Sequence, residues 1–190
     1  VVSDIREKEK LFEIVKEYEP EFVFHLAAQS LVRNSYENPL DTFDVNVLGT
    51  ANMLEALRFS SSVKVGLIMT SDKCYDNKIN HRPHVEDDPM GGIDPYSASK
   101  GAAELITSSY NDSFFNAIDD RAAISTIRAG NILGGGDWAK DRIVPDSINA
   151  IIKNQNIQIR NPDSIRPWQY VLEPISGMLW LARKMHSNKE

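Results

Sequence analysis

Short apolar runs of β-prone residues alternate with amphipathic helical patterns along most of this chain. The apolar runs lie at 22–27, 63–69 and 123–127, and the helical patterns lie at 6–18, 40–58 and 95–115. A strand without a polar face must be buried on both sides, which is typical of a parallel sheet covered by the helices that connect its strands. The alternation therefore predicts an α/β fold with a doubly wound parallel sheet.

Small or polar residues follow each predicted strand, at 27–30, 70–73 and 128–131. Ligands of doubly wound sheets bind beyond the carboxyl ends of the strands, so these segments are the candidate site. After residue 133 the composition changes to glycine, tryptophan, arginine and proline. Shorter elements are predicted there at 143–153, 157–160 and 174–185. We therefore predict a sheet domain at 1–133 and a substrate-side lobe at 134–190 that interleaves with the last sheet elements.

The formal net charge of −6 argues against a nucleic-acid-binding surface, which would require a clustered excess of lysine and arginine. The single cysteine, Cys74, excludes an internal disulfide, and no apolar run reaches the roughly 20 residues of a membrane-spanning helix. His81 and His84 have no partners at metal-ligand spacing. These features predict a cytoplasmic protein that binds a small molecule, with no nucleic acid, membrane or metal as a partner.

The segment Tyr-Ser-Ala-Ser-Lys at 96–100 places a phenol and an ammonium group four residues apart, on one face of a predicted helix. A nearby fixed positive charge favours the phenolate form of a tyrosine, and a phenolate accepts the proton of an alcohol. The spacing alone is common on helices. Because the pair follows a glycine-containing loop and Ser71 ends a predicted strand, Ser71, Tyr96 and Lys100 form a candidate catalytic set.

This set, with the Ala27-Ala28 turn and the helix sequence Asp-Val-Asn-Val-Leu-Gly-Thr at 44–50, resembles the extended short-chain dehydrogenase/reductases over nearly the whole chain. The resemblance implies a Rossmann-like fold with NAD as cofactor, of which 1–133 would be a partial dinucleotide-binding domain. In that family the serine hydrogen-bonds the substrate hydroxyl and the tyrosine is the base for oxidation. The lysine lowers the tyrosine pKa and binds the nicotinamide ribose.

Asp72 and Lys73, directly after the serine, narrow the resemblance. Sugar 4,6-dehydratases oxidise C4, eliminate water across C5 and C6 and return the hydride to C6, so they need one group near C5 and another near O6. Aspartate followed by lysine resembles the enzymes that act on CDP-glucose, whereas aspartate followed by glutamate resembles those that act on dTDP-glucose. The resemblance implies that Asp72 is the acid toward O6 and that Lys73, in its uncharged form, is the base at C5.

The strings at 128–142 and 159–174 also resemble the CDP-glucose 4,6-dehydratases. Flexible glycines let the backbone approach a ligand, and arginine forks suit the oxygens of a diphosphate. The predicted substrate-binding residues are Ser30, Asn131, Arg142 and Arg166. We expect Arg160 to face solvent, and Trp138 and Trp168 either to flank the nucleotide sugar or to pack in the core.

The same resemblance gives the positions that would contact the cofactor. The pair at 4–5 resembles the acidic and apolar residues beside the adenine, and 26–30 resembles the loop under the pyrophosphate and the nicotinamide ribose. The predicted cofactor-binding residues are Asp4, Ile5, Leu26, Ala27, Ala28, Gln29, Tyr96 and Lys100.

No glycine-rich GxGxxG or GxxGxxG turn precedes a helix anywhere in the sequence, whereas members of the family carry one on their first strand. We therefore expect a chain truncated at both ends, which leaves open whether it binds NAD or is active alone. Sheet edges exposed by the truncation predict aggregation or pairing with another chain. For the intact protein the resemblance implies a homodimer formed through the helices at 40–58 and 95–115.

Three functions stay open on the sequence. The first is a lyase that converts CDP-glucose to CDP-4-keto-6-deoxyglucose with a tightly held NAD. The second is a sugar-nucleotide 4-epimerase or related oxidoreductase, which would use Ser71, Tyr96 and Lys100 but would not need Asp72 or Lys73. The third is an inactive chain that binds a nucleotide sugar or a partner protein.

Overall fold

A computed structural model describes residues 1–76, 82–116 and 121–187. In chain order the elements are α1 (Lys8–Tyr18), β1 (Phe22–His25), α2 (Val32–Glu37), α3 (Pro39–Phe43), α4 (Gly49–Phe59), β2 (Val65–Met69), α5 (Pro95–Tyr110), β3 (Ala123–Ile127), β4 (Asn131–Leu133), α6 (Ile143–Ile152), β5 (Trp168–Tyr170) and α7 (Leu172–Ser187). A π-helical turn at Asp44–Leu48 joins α3 to α4, and a second at Asn111–Phe115 extends α5. A 3₁₀ turn at Asp72–Cys74 follows β2.

Strands β1, β2 and β3 form a parallel sheet in which β2 is central. Helices α2 to α4 connect β1 to β2, and α5 lies between β2 and β3, because neighbouring parallel strands need a crossover connection. The carboxyl ends of all three strands therefore lie at one edge of the sheet, where the segments that follow β1, β2 and β3 come together.

The side chains of β2 alternate between two apolar layers, since successive residues of a strand point to opposite faces. Ile68 packs with Leu57 in a cluster that also includes residues of α1 and of the α5 extension. On the other face, Leu67 packs against Met178 and Ala182 of α7. Helices thus cover both faces of the sheet, and the predicted α/β, doubly wound class is confirmed.

Strands β4 and β5 form a separate parallel pair in which Asn131 is opposite Trp168 and Leu133 is opposite Tyr170. Helix α7 follows β5 directly and returns to the main sheet, where it contacts β2 and β3. The segment after residue 133 therefore contributes both the second strand pair and one cover of the main sheet. Its assignment to a substrate-side lobe stays a prediction.

The predicted strands of the main sheet, and the predicted helices that cover it, agree with the structure to within two residues at each end. The element predicted at 157–160 was wrong, because these residues form neither helix nor strand, and Ile157 and Ile159 are exposed. Helix α2 and strands β4 and β5 were not predicted. Residues 77–81, which include His81, lie outside the described residues.

Every helix within the described ranges is too short or too polar to cross a membrane. Across the same residues, no group of three or more histidine, cysteine, aspartate or glutamate side chains is placed to hold a metal ion.

Candidate active site

Ser71 and Asp72 lie at the carboxyl end of the central strand β2. The Ser71 hydroxyl accepts a hydrogen bond from the Lys73 backbone N–H at 3.2 Å, which caps the 3₁₀ turn, and donates to Asp72 Oδ1 at 3.1 Å. The Asp72 backbone N–H donates to the Ala129 carbonyl at 3.1 Å, which ties the turn to the segment after β3. Ser71 is 7% exposed, so the serine and the carboxylate are held in place at the ligand edge of the sheet.

Tyr96 lies in the first turn of α5, whose start is fixed by Asp94. The Asp94 carboxylate accepts from the Ser97 backbone N–H at 2.9 Å and from the Ser97 hydroxyl at 2.6 Å. Gly92 has a φ of +138°, and a Cβ there would lie 2.3 Å from the Ala98 nitrogen, so only glycine lets the loop pass this close to the helix.

The Tyr96 phenol meets Ser71 across this site. Burial raises the pKa of Tyr96, and the negative charge of Asp72 adds to the rise, whereas the Ser71 side chain and the charge of Arg142 lower it. Lys100 is not among the groups that shift the Tyr96 pKa here, and the predicted lowering of that pKa by Lys100 stays a prediction. Burial thus favours the protonated phenol, and a further positive charge close to it would favour the phenolate.

Lys100 lies one turn after Tyr96 and is 5% exposed. Its Nζ donates to the Met69 carbonyl at the end of β2, at 3.0 Å, rather than to the phenol. Burial lowers the pKa of Lys100 to about 8, while Glu104 raises it. The same ammonium group adds to the effect of burial in lowering the pKa of His25 to about 4. His25 is buried and bonds Thr50 Oγ1 at 3.1 Å, a structural contact within the fold.

Asn46 holds the loop after β1 against α5. Its Nδ2 donates to the Gln29 carbonyl at 3.0 Å and to Ser99 Oγ at 2.9 Å, and its Oδ1 accepts from the Gln29 backbone N–H at 2.8 Å. The Gln29 side chain bonds the Leu31 backbone and Thr42, so it is occupied within the fold. Asn46 is 2% exposed and lies in a π-helical turn, a feature frequent at functional sites.

Arg142 brings the segment after β4 into the same site. Its Nη2 donates to Ser30 Oγ at 3.5 Å, and its Nη1 is paired with Asp137 at 2.9 Å, which fixes the guanidinium near Tyr96. Asn131 begins β4, beside the segment that carries the exposed Arg166. The Arg166 carbonyl accepts a hydrogen bond from the Trp168 backbone N–H at 3.0 Å, whereas its guanidinium group bonds no residue of the described part of the chain.

Asp4 and Ile5 precede α1, and their contacts are with Arg6 and with Gly49 and Asn52 of α4. Hydrogen bonds from the Arg6 side chain and backbone lower the pKa of the Asp4 carboxyl group to about 2. Ile5 packs so closely on Gly49 that a Cβ there would lie 2.7 Å from Ile5 Cγ2. The Arg6 guanidinium group pairs with Asp4 at 2.7 Å and with Asp41 at 2.9 Å. The Asp4 carboxylate is therefore already paired in this structure.

The structure thus brings together Ser71, Asp72, Tyr96, Arg142 and Ser30. Within the described residues the Lys73 side chain forms no hydrogen bond or ion pair, and its position relative to a substrate stays a prediction. Trp138 and Trp168 are 59% and 45% exposed, so neither packs in the core. Arg160 faces solvent as expected, with its side chain 44% exposed, and it pairs there with Asp141 and Asp146.

Sequence reasoning assigned no role to Asn46, Glu104 or Arg128, although all three have buried or half-buried side chains within reach of the site. The sequence signal was weak: each is a polar or charged residue in or beside an element whose neighbours are apolar. A single polar residue at such a position is also typical of a solvent-facing side chain.

The chain is similar to a set of sugar-nucleotide enzymes. The family profile described as GDP-mannose 4,6 dehydratase matches residues 1–189. The chain belongs to this dehydratase family. Its relatives include the CDP-glucose 4,6-dehydratase of Salmonella typhimurium, 49% identical over 98% of the chain and 53% of that protein. The chain therefore spans about half the length of this curated relative.

Solved structures agree with this family. UDP-glucose 4-epimerase from Thermus thermophilus in complex with NAD is 25% identical with a TM-score of 0.81, over 95% of this chain and 58% of that one. The dTDP-glucose 4,6-dehydratase DesIV of Streptomyces venezuelae, with NAD bound, has a TM-score of 0.82 over 95% of this chain and 53% of that one. At 21% identity the second likeness shows the fold alone.

The side chains at the sheet edge fit the nicotinamide end of a dinucleotide. Ala27 and Ala28 leave room for a close approach to the backbone that Asn46 fixes. Leu26 is 54% exposed at the ligand edge, an apolar surface that a flat ring would cover. Lys100 provides a buried ammonium group at the same edge.

Proposed function

We propose that the gene product containing this chain is an NAD-dependent CDP-glucose 4,6-dehydratase that forms CDP-4-keto-6-deoxyglucose. The observation that carries this proposal is the convergence of Ser71, Asp72 and Tyr96 at one sheet edge, with Asp72 Oδ1 3.1 Å from Ser71 Oγ. The similarity to the Salmonella typhimurium CDP-glucose 4,6-dehydratase supports the same substrate.

Oxidation at C4 is the first step of this reaction. Tyr96 takes the proton of the C4 hydroxyl, and Ser71 hydrogen-bonds the same oxygen, as their contact across the site allows. Bound NAD would supply the hydride-transfer chemistry at C4 and C6, and Tyr96 and Lys100 would lie at its nicotinamide end. Because burial raises the pKa of Tyr96, the phenolate needs a positive charge close by, and Lys100 is the nearest such group on α5.

Elimination follows because the C4 ketone acidifies the C5 hydrogen. Lys73, as the free amine, takes the C5 proton, and Asp72 gives a proton to O6, which leaves as water. The C5–C6 double bond then accepts the hydride at C6 and the proton from Lys73 at C5. Asp72 must therefore enter this step protonated, and the O4 proton taken up by Tyr96 has to pass to Asp72 to close the cycle.

The diphosphate of the nucleotide sugar would lie beside the segments after β1 and β4. Arg142 reaches Ser30 at 3.5 Å while held by Asp137, and Arg166 has an exposed guanidinium group. Such planar forks bind phosphate oxygens in pairs. Asn131 supplies an amide near the same strand pair.

The direct test adds NAD and CDP-glucose to the gene product and follows the absorbance of the 4-keto product under alkali. Product formation with CDP-glucose is the expected result. A folded, NAD-loaded gene product that forms no product from CDP-glucose would contradict the assignment. That result would favour either a different nucleotide sugar as the substrate or a chain that only binds a nucleotide sugar.

Lys73→Met separates the dehydratase from the 4-epimerase, which is the second candidate because of the likeness to the Thermus thermophilus epimerase. A dehydratase should lose about 10²- to 10⁴-fold in kcat, the usual loss for a general base, because the C5 proton is no longer removed. Lys153→Met, at an exposed lysine after α6, is the matched control. If the Lys73 variant keeps the kcat of the unchanged protein, the result would favour the epimerase.

We also propose a homodimer of the intact protein through the surfaces of α3, α4 and α5. Leu40, Leu48 and Leu105 are 82%, 56% and 62% exposed on these helices and their π-helical junction, an apolar surface typical of helix packing between subunits. Light scattering on the intact protein should give a dimer mass, and Leu105→Glu should lower it. A monomer would refute the proposal.

A cytoplasmic location is proposed as well, because Cys74 is buried and unpaired and burial raises its pKa to about 12, as expected of an inert thiol in a reducing compartment. Fractionation of cells that express the tagged gene product should place it with cytoplasmic markers, and recovery with an exported fraction would contradict this location.

A further inference from the structure

Glu104 is a buried carboxylate that the proposed chemistry does not use. It lies one turn after Lys100 on α5 and is 6% exposed. Its Oε1 accepts a hydrogen bond from Thr70 Oγ1, and its Oε2 accepts from Thr126 Oγ1 at 2.9 Å and from Arg128 Nη2 at 2.8 Å. The carboxylate therefore joins α5 to the carboxyl ends of β2 and β3.

Arg128 continues these contacts to the other side of the site. Its Nη1 donates to the Tyr75 hydroxyl at 2.9 Å and to the Glu86 carbonyl at 2.7 Å. The guanidinium carbon lies 5.0 Å from the centre of the Tyr75 ring, and that ring stacks on His84 with 4.5 Å between ring centres. Arg128 thus ties the residue after the 3₁₀ turn to β3 and to the loop that carries Glu86.

The two ends of the segment 71–74 are therefore attached to one ion pair. Thr70 precedes Ser71 and bonds Glu104, whereas Tyr75 follows Cys74 and bonds Arg128. The side chains of Glu104 and Arg128 are only 5% and 18% exposed, so water does little to weaken their 2.8 Å contact. Between these two anchors lie Ser71, Asp72 and Lys73, and of these three Ser71 is held in addition by its contact with Tyr96 on α5.

We propose that Glu104 and Arg128 are a positioning pair for the elimination step, a role that rests on the proposed function. They hold both ends of the segment 71–74, so that Asp72 stays aligned with O6 and Lys73 with C5. Neither residue needs to touch the substrate. A shift of about 1 Å in a catalytic group costs on the order of 10²-fold in rate, so loosening either anchor slows the step that depends on Asp72 and Lys73.

A purely structural ion pair would behave differently. Loss of such a pair would lower the melting temperature and the amount of folded enzyme. In the molecules that stay folded, the ratio of the oxidation rate to the elimination rate would not change. The ratio of the two chemical steps is therefore the decisive quantity.

The experiment uses the intact gene product, loaded with NAD and mixed with CDP-glucose in a single turnover. Absorbance of reduced nicotinamide reports C4 oxidation, and the alkali-treated product reports completed elimination. Glu104→Gln keeps the shape of the side chain but removes its charge. Thr70→Val removes only the hydroxyl that anchors the start of the segment.

Each variant has a matched control. Glu55→Gln removes the charge of a half-buried carboxylate that also bonds an arginine, Arg58, and a tyrosine, Tyr110, but lies on α4 away from the site. Thr126→Val removes the other threonine hydroxyl that bonds Glu104, from a residue that is not next to the segment 71–74.

We expect Glu104→Gln and Thr70→Val to accumulate reduced nicotinamide and to lower kcat by about 10- to 10²-fold, with KM little changed and with the controls close to wild type. If oxidation and elimination slow equally, or if Thr126→Val matches Thr70→Val, the positioning role is refuted. Should Glu104→Gln not fold, Thr70→Val against Thr126→Val decides alone. A wild-type enzyme without product refutes the proposed function itself, which is a separate outcome.

Discussion

At the scale of single residues, the site combines two ionisable groups whose charged forms burial disfavours. Burial raises the pKa of Tyr96 and lowers the pKa of Lys100 to about 8. Both side chains are therefore held toward their neutral forms in this structure. The phenolate form of Tyr96 requires a positive charge close to the phenol, because such a charge lowers its pKa. We expect Lys100 and a bound cofactor together to provide that charge.

Lys100→Met should stabilise the gene product at pH 7 while it abolishes activity. The unfolded lysine titrates near 10.5 and the folded one near 8, so below pH 8 both states carry the charge and the folded state bears the full cost of burying it. We expect a gain on the order of 2 kcal/mol, less than the pKa shift alone implies because the bond to the Met69 carbonyl is lost.

The gain should shrink as the pH rises from 8 to 10.5, because the wild-type folded state then releases its proton and recovers stability. Urea unfolding of both proteins at pH 7 and near pH 10 measures this, with Lys153→Met as the exposed control. The same difference in free energy of unfolding at both pH values would contradict the prediction.

The residues whose chemistry follows from local spacing were predictable from the sequence. Ser71, Asp72 and Tyr96 meet as the strand-end and YxxxK patterns suggested. Two contacts were not predictable: the hydrogen bond of Lys100 to Met69, and the hydrogen bonds by which Asn46 joins the loop after β1 to α5. Both depend on burial and on contacts between residues far apart in the chain. Such contacts leave no periodic signal.

At the scale of elements, the longer helices and strands were predicted from the sequence, whereas the shortest ones were missed. Helices α4 and α5 and strand β2 carry long apolar patterns, whereas β4 and β5 have three residues each and exist only because they pair with each other. Helix α2 has only six residues, and its N-cap residue, Leu31, makes no side-chain capping hydrogen bond, so the sequence does not mark where the helix begins. The run at 157–160 has similar apolar content but pairs with no strand of the described chain.

Gly66 is an unfavourable residue for the interior of strand β2, and the structure explains why a glycine is there. A Cβ at Gly66 would lie 2.6 Å from Ile124 Cδ1 and 2.9 Å from Leu57 Cδ1, so the absence of a side chain lets α4 pack directly on the central strand. Gly66→Ala should lower the free energy of unfolding by about 1–2 kcal/mol, because two packed side chains must move.

Gly177→Ala is the matched control for this change. No atom lies within 4 Å of a Cβ at Gly177, which is exposed in the interior of α7, so the same substitution should stabilise the protein by about 0.5–1 kcal/mol. Denaturant unfolding of the two variants should therefore give opposite signs. A gain in stability for Gly66→Ala would show that Ile124 and Leu57 repack freely.

At the scale of the whole molecule, the two faces of the main sheet are unequally covered. Helices α1, α4 and α5 bury one face, whereas α7 alone covers part of the other. Beside α7 lies an open groove of about 560 Å³, which Phe22, Phe24, Leu179 and Arg183 help to line. Phe22 and Leu179 are 38% and 58% exposed there, next to β1, which pairs only with β2 among the described strands.

This arrangement predicts self-association of the chain when it is expressed by itself. An apolar groove beside an unpaired strand edge offers both hydrophobic area and free backbone groups to another copy. Leu179→Glu should reduce association by placing a charge where a second copy would pack, whereas Ile165→Glu, at an equally apolar but isolated position that is 93% exposed, should not. Sedimentation velocity over a concentration series measures the effect. If the unchanged chain is monomeric at every concentration, α7 covers enough of this face, and the edge of β1 is protected without a partner.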